Sequence, residues 1–217
     1  MPVQAVVFDL GETLVDEARS WAAWADWLGV RPFDLFAALG ATIERRQDHR
    51  RAFELVRPGV DLERERAARA AAGRPWGFDA SDLYPDTLPC LEQLRAAGLR
   101  LGVVGNHPAA TESMLPELYG ALDVVGSSEG WGVEKPSPAF FQRVVAEVGL
   151  EPAAIAYVGD RLDNDVLPAM ALGMVGVFLV RGPWALVQQS WPEAAQATLT
   201  TDTLDGLAGR LAARSSR

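Results

Sequence analysis

A valine-rich apolar run, residues 3–8, ends abruptly in a carboxylate, Asp9. Such a run reads as a strand buried on both faces, as in parallel sheets covered by helices. A carboxylate at the C-terminal end of a central strand falls where open α/β sheets place their ligand crevice. Later stretches repeat the pattern. Residues 99–104 lead into Gly105-Asn106, residues 155–158 lead into Gly159-Asp160, and residues 123–125 and 174–180 read as two further strands. Helical patterns separate them at 86–97, 111–118, 137–148 and 164–172, the third with Ser137 as N-cap and Pro138 in its first turn. Alternating strands and helices imply an α/β fold, a doubly wound parallel sheet with right-handed crossovers. Residues 197–200 suit an edge strand and 204–213 a last helix, after which Ser215, Ser216 and Arg217 are expected to fray.

Between residues 16 and 83 no strand pattern occurs. Trp21, Trp24 and Trp27 recur every three residues, one stripe on a helix over 18–28. Helical patterning continues over 33–40 and 41–56, with Arg45, Arg46, Arg50 and Arg51 on the polar side and His49 among them as a surface histidine. Residues 61–72 form a charged, alanine-rich helix that Gly73 and Pro75 stop. The division that follows is a core of residues 1–15 and 84–217 and an inserted helical domain of residues 16–83. The Trp stripe reads as the core of that inserted domain.

Composition narrows the classes of function. The net charge of −9 argues against nucleic acid as a partner, because phosphate backbones need a basic footprint. No apolar run is long enough to span a membrane, and the N-terminus leads straight into a strand, so no signal peptide is expected. The single cysteine, Cys90, lies in an apolar helical run and reads as a buried small hydrophobe. The lack of a disulfide framework fits a reducing cytoplasm. Lys135 is the sole lysine, all other cationic side chains being arginine. A position that keeps lysine there is one that needs a compact point charge on a flexible stem.

Four ordered motifs carry a resemblance. Phe8-Asp9-Leu10-Gly11-Glu12-Thr13-Leu14, Val103-Val104-Gly105-Asn106, Lys135-Pro136 and Val158-Gly159-Asp160-Arg161-Leu162-Asp163-Asn164-Asp165 together resemble the haloacid dehalogenase superfamily, most of whose members are Mg-dependent phosphatases. The resemblance covers nearly the whole chain. It implies a Rossmann-like core with an α-helical cap, and a small phosphorylated metabolite as substrate of a monomer or homodimer. Asp9 is then the nucleophile and forms an aspartyl-phosphate. Mg²⁺ is held by Asp9, Asp160 and the carbonyl of Gly11, with Asp165 acting through water or by orienting Lys135. Asn106 and His107 complete the substrate cradle. The charge argument agrees, since three carboxylates crowded into one crevice need a cation to stay ionised.

Two positions depart from the family pattern. Gly11 stands where the phosphatases carry a second aspartate, the general acid–base, and Gly105 lacks the hydroxyl that binds a phosphoryl oxygen. Losing a general acid–base typically costs about 10²–10⁴-fold. Gly11 is read here as the residue that lets the backbone turn sharply. Glu12, next to it, and His107, at the neighbouring strand end, are the candidates to replace the missing group. Three functions remain open: a phosphatase with an altered acid–base group, a phospho-ligand binding protein of low turnover, and a metal-independent dehalogenase-like hydrolase, whose halide leaves without a proton.

Overall fold

The structure, a computed structural model, describes residues 1–214. The fraying expected of Ser215, Ser216 and Arg217 falls outside them. β1 (Ala5–Phe8) is followed by four helices: α1 (Ala18–Leu28), α2 (Pro32–Glu44), α3 (Arg50–Val56) and α4 (Leu62–Ala71). The chain continues through α5 (Thr87–Ala96), β2 (Arg100–Gly105), α6 (Leu115–Tyr119), β3 (Val124–Ser127), α7 (Ser128–Trp131), α8 (Pro138–Val148), β4 (Ile155–Gly159), α9 (Leu167–Ala171), β5 (Val175–Leu179), α10 (Gly182–Gln188), β6 (Leu199–Thr201) and α11 (Leu207–Arg214).

Among the described residues the strands form one parallel sheet, ordered β3-β2-β1-β4-β5-β6. The chain winds outward from β1 to β3, then resumes at β4 on the other side of β1. That reversal opens a crevice at the C-terminal ends of β1 and its neighbours. Side chains alternate across the sheet. Val6 and Phe8 of β1 face a layer with Cys90, Leu91 and Leu94 of α5 and Leu207 and Leu211 of α11. Ala5 and Val7 face the other, with Phe140, Phe141, Val144 and Val148 of α8. The doubly wound fold and the buried Cys90 agree with the sequence reading.

The helices between β1 and β2 differ from expectation in two respects. The pattern over 41–56 breaks after Glu44, where Arg46 takes a left-handed φ of 55° and α3 begins afresh at Arg50. The tryptophan stripe also reaches beyond its own helices. Trp21 stacks on Phe53 and contacts Trp184 of α10, while Arg46 bonds Glu193 and lies over the ring of Trp191. α10 itself was not anticipated. It begins at Gly182-Pro183 directly after β5 and supplies the apolar surface that receives Trp21. His49, on the surface as expected, is half-buried there, edge-on to Trp21 and Trp184, and burial pushes its imidazole down to about 4.

The two chain crossings between sheet and helices run side by side. Asp16 N–H donates to the Asp82 carbonyl at 2.8 Å, Tyr84 N–H donates to the Leu14 carbonyl at 3.1 Å, and Val15 and Leu83 form an antiparallel bridge. No helix among the described residues is long and apolar enough to cross a membrane.

Candidate active site

Register fixes the first carboxylate. Phe8 sits level with Val103 of β2 and Val158 of β4, so Asp9 emerges at the rim between Gly105 and Gly159. Its backbone N–H still donates to the Val158 carbonyl at 2.9 Å. Asp160 follows β4 directly. Asp165 returns to the same point through a π-helical turn, Leu162–Val166, of a kind that recurs at functional sites. A Cβ on residue 159 would collide with the Asp165 carboxyl, so Gly159 permits that close approach. Oxygens of Asp9, Asp160 and Asp165 come within 4.8 Å of one another.

Lys135 enters from the loop after α7. Its Nζ lies 2.7 Å from Asp9 Oδ1 and 2.6 Å from Asp165 Oδ1, with the side chain almost wholly buried. Asn106 holds it there: its Oδ1 accepts from Lys135 N–H at 2.8 Å, and its Nδ2 donates to the Lys135 carbonyl at 3.0 Å. Burial alone would push the ammonium down, but Asp165 and Asp9 overcome this and hold it well above its ordinary value. Burial likewise raises Asp165 to about 6 and Asp160 well above the usual carboxylate range, the latter reinforced by Asp165 and Asp9.

One ammonium against three carboxylates leaves a surplus of negative charge. Asp160 Oδ2 is buried and finds no hydrogen-bond partner among the described residues. An unpartnered carboxylate oxygen in an all-oxygen cluster is the donor set a hard divalent cation takes. The residues present therefore fit such an ion. Asp9 is the member of the set that keeps an exposed edge, with 12% of its side chain accessible against 1% or less for Lys135 and Asp165.

The positions around the two glycines read differently. Gly11 is not left-handed; the turn is taken by Glu12, at φ 52°. This corrects the expectation that Gly11 supplies the sharp turn. The Glu12 carboxylate is engaged on both sides: Oε1 accepts from Glu17 N–H at 3.0 Å and Oε2 from the Tyr84 hydroxyl at 2.7 Å. Gly182, at φ 71°, backs against it, and a Cβ there would meet Glu12 Oε2 at 2.5 Å. Burial raises the Glu12 carboxyl, with the Tyr84 bond opposing. At the other glycine, a Cβ on residue 105 would lie 2.5 Å from Asp9 Oδ1 and 3.2 Å from His107 Cδ2. His107 is buried, its Nδ1 3.3 Å from the Pro108 carbonyl and its Nε2 without a partner among the described residues. Burial lowers its imidazole below the ordinary value.

One residue was missed entirely. Glu17, just before α1, turns its carboxyl toward Gly11, where a Cβ would stand 2.7 Å from its Cδ. Burial pushes this carboxyl up to about 8, with Glu12 and Asp9 adding to the shift and a hydrogen bond from Trp21 opposing it. Nothing in its spacing from Asp9 signals the contact, which depends on the conformation of the intervening turn.

The family profile described as "Hydrolase: haloacid dehalogenase-like hydrolase" matches residues 3–173. The chain belongs to the haloacid dehalogenase-like hydrolase family. It is 34% identical over 200 residues to a glyceraldehyde 3-phosphate phosphatase of Methanopyrus kandleri, covering 84% of this chain and 86% of that protein. It is 28% identical over 209 residues to a phosphoglycolate phosphatase of Salmonella paratyphi A, covering 83% and 82%. A crystal structure of a HAD phosphatase from Thermococcus onnurineus superposes with a TM-score of 0.61 at 25% identity, over 96% of this chain and 98% of that one. The chain is thus a hydrolase of this family, whose phosphatases generally use a divalent metal.

Proposed function

We propose that the chain is a Mg²⁺-dependent phosphatase that acts on a small phosphorylated metabolite through an aspartyl-phosphate at Asp9. The observation that carries this reading is the cluster of Asp9, Asp160 and Asp165, two of which share the single ammonium of Lys135. Keeping three buried carboxylates together is unfavourable without a further cation. A dehalogenase-like hydrolase, whose leaving halide needs neither proton nor metal, has no use for the cluster. The relatives, a glyceraldehyde 3-phosphate phosphatase and a phosphoglycolate phosphatase, support a phosphate ester on a short carbon chain as substrate.

In this reading Asp9, Asp160 and the Gly11 carbonyl would hold Mg²⁺, with Asp165 acting through water or by orienting Lys135; when bound, the ion would neutralise the oxygens of the transferring phosphoryl group. Asp9 attacks phosphorus with its accessible carboxylate edge, forming an Asp9 O–P bond as the ester O–P bond breaks. Lys135 holds Asp9 in its aim, and offsets charge as it gathers on the phosphoryl oxygens. Asn106 acts at one remove, since both ends of its amide are spent on the Lys135 backbone. Glu12 is likewise a brace, joining the start of α1 to Tyr84. His107 fills the space beside Gly105 and lies against Asp9, where it shapes the phosphoryl pocket. Residues 16–83 serve as the cap that excludes water from the crevice.

The test is phosphate release from glyceraldehyde 3-phosphate and phosphoglycolate, with Mg²⁺ and with chelator, beside halide release from a 2-haloacid. Phosphate release that needs Mg²⁺ and disappears in Asp9→Asn is expected. Halide release without metal, in the absence of phosphate release, would overturn the reading.

A further inference from the structure

We propose that Glu17 is the catalytic acid–base of this site, reaching from the start of α1 into the space that a side chain at position 11 would fill. The proposal rests on the phosphatase reading above. A Cβ built on Gly11 would stand 2.7 Å from Glu17 Cδ and 2.9 and 3.0 Å from its two carboxyl oxygens. Those distances exclude a side chain at 11 while Glu17 is in place. They also put the Glu17 oxygens only a little farther from that Cβ than the roughly 2.4 Å at which an aspartate at 11 would hold its own. Gly11 has no conformational reason to be glycine, because the left-handed residue of the turn is Glu12. Room for Glu17 is a sufficient reason.

The placement is braced. Glu17 N–H donates to Glu12 Oε1, and Glu12 Oε2 is in turn bonded by Tyr84 at the return crossing. Although Glu17 precedes α1, its side chain does not cap the helix; its carboxyl accepts a hydrogen bond from Trp21, whose single N–H can engage one oxygen and leaves the other for proton transfer. The other candidates are less suited. Both Glu12 oxygens already accept hydrogen bonds. For His107, a carbonyl can only accept, so Nδ1 carries the proton toward Pro108 and Nε2 of the neutral ring has none to give.

The two half-reactions balance. In the first, the Glu17 carboxyl gives its proton to the ester oxygen as that oxygen leaves phosphorus and Asp9 Oδ bonds to it; alcohol departs. In the second, the Glu17 carboxylate takes a proton from water as the water oxygen bonds to phosphorus and the Asp9 O–P bond breaks. Inorganic phosphate departs, and both carboxyl groups return to their starting states.

The experiment compares Glu17→Gln with wild type on an alkyl phosphate, glycerol 1-phosphate, and on acetyl phosphate, whose leaving group needs no proton. The amide keeps the shape and cannot transfer a proton. Alkyl-ester turnover is expected to fall roughly 10²–10⁴-fold. Phosphorylation of Asp9 by acetyl phosphate is expected to proceed as in wild type, which also shows that the variant is folded. In a Glu17→Ala background, Gly11→Asp is expected to restore part of the alkyl-ester turnover. An equal loss in Asp9 phosphorylation by acetyl phosphate, or no loss on the alkyl ester, overturns the role of Glu17 and leaves the phosphatase reading standing. Absence of Asp9-dependent turnover in wild type on either substrate overturns both.

Discussion

The two sides of the crevice are built in opposite ways. On the side of β4, charge is concentrated: Asp160 and Asp165 come from one short loop, and Asp165 shares Lys135 with Asp9. On the side of α1, side chains are missing at Gly11 and Gly105, and the polar group that faces Gly11 arrives from the next element. The first side is set by strand register and a local turn. The second is set by how the crossing into the helices packs against the rim. The difference teaches that a departure from a motif need not be a loss, because a neighbouring element can bring an equivalent group to the same point.

Lys135 gives the largest expected effect and strikes the charged side alone. Lys135→Ala leaves buried carboxylates uncompensated, which should cost about 3–5 kcal/mol in chemical unfolding, besides abolishing turnover. Lys135→Arg should not restore activity, because a planar fork does not fit between two carboxylates that a point charge bridges at 2.6 and 2.7 Å. A fully active Lys135→Arg would erase the contrast between the two sides.

Gly11→Ala strikes the other side alone. Its Cβ displaces the Glu17 carboxyl, so alkyl-phosphate turnover should fall at least about tenfold while acetyl phosphate still labels Asp9. Unchanged alkyl-phosphate kinetics would mean that Glu17 moves aside without consequence.

The pH dependence of stability probes the side of α1. Glu17, raised to about 8, holds a proton in the folded state that the unfolded chain has released. Stability of the metal-free protein should therefore fall as pH rises from 7 to 8.5, above the range where the histidines titrate in the unfolded chain. Thermal unfolding in chelator reads this directly. Glu17→Gln should flatten this slope; a melting temperature that rises over this interval in chelator would contradict the assigned shift.

Tyr84→Phe is the smallest change, removing one hydrogen bond to the Glu12 carboxylate. A loss of about 1.5–3 kcal/mol is expected, the range for a bond to a charged group, with a modest fall in alkyl-phosphate turnover as Glu17 loosens.

Much of this was legible in the sequence, unevenly between the two sides. Asp9, Asp160 and Lys135 could be read because strand ends and the residues after them follow from hydrophobic runs. The sheet, its parallel winding and most helices followed from the same periodicity. Glu12 and His107 were drawn in by their nearness in sequence, but local backbone directs their polar atoms elsewhere, to Tyr84 and the Glu17 amide in one case and to Pro108 in the other. Asn106 is turned onto the Lys135 backbone, a pairing across 29 residues that no spacing rule reports. Glu17 was invisible because a left-handed glutamate, a conformation uncommon outside glycine and asparagine, shapes the turn before it. α10 was missed because seven residues beginning with Gly-Pro give no readable period.

The most direct test of the central claim is to incubate the protein with acetyl phosphate and Mg²⁺ and examine the peptide containing Asp9 by mass spectrometry. The account predicts a phosphoryl adduct on Asp9 that requires Mg²⁺ and is absent from Asp9→Asn. No adduct, or one on another residue, would contradict it.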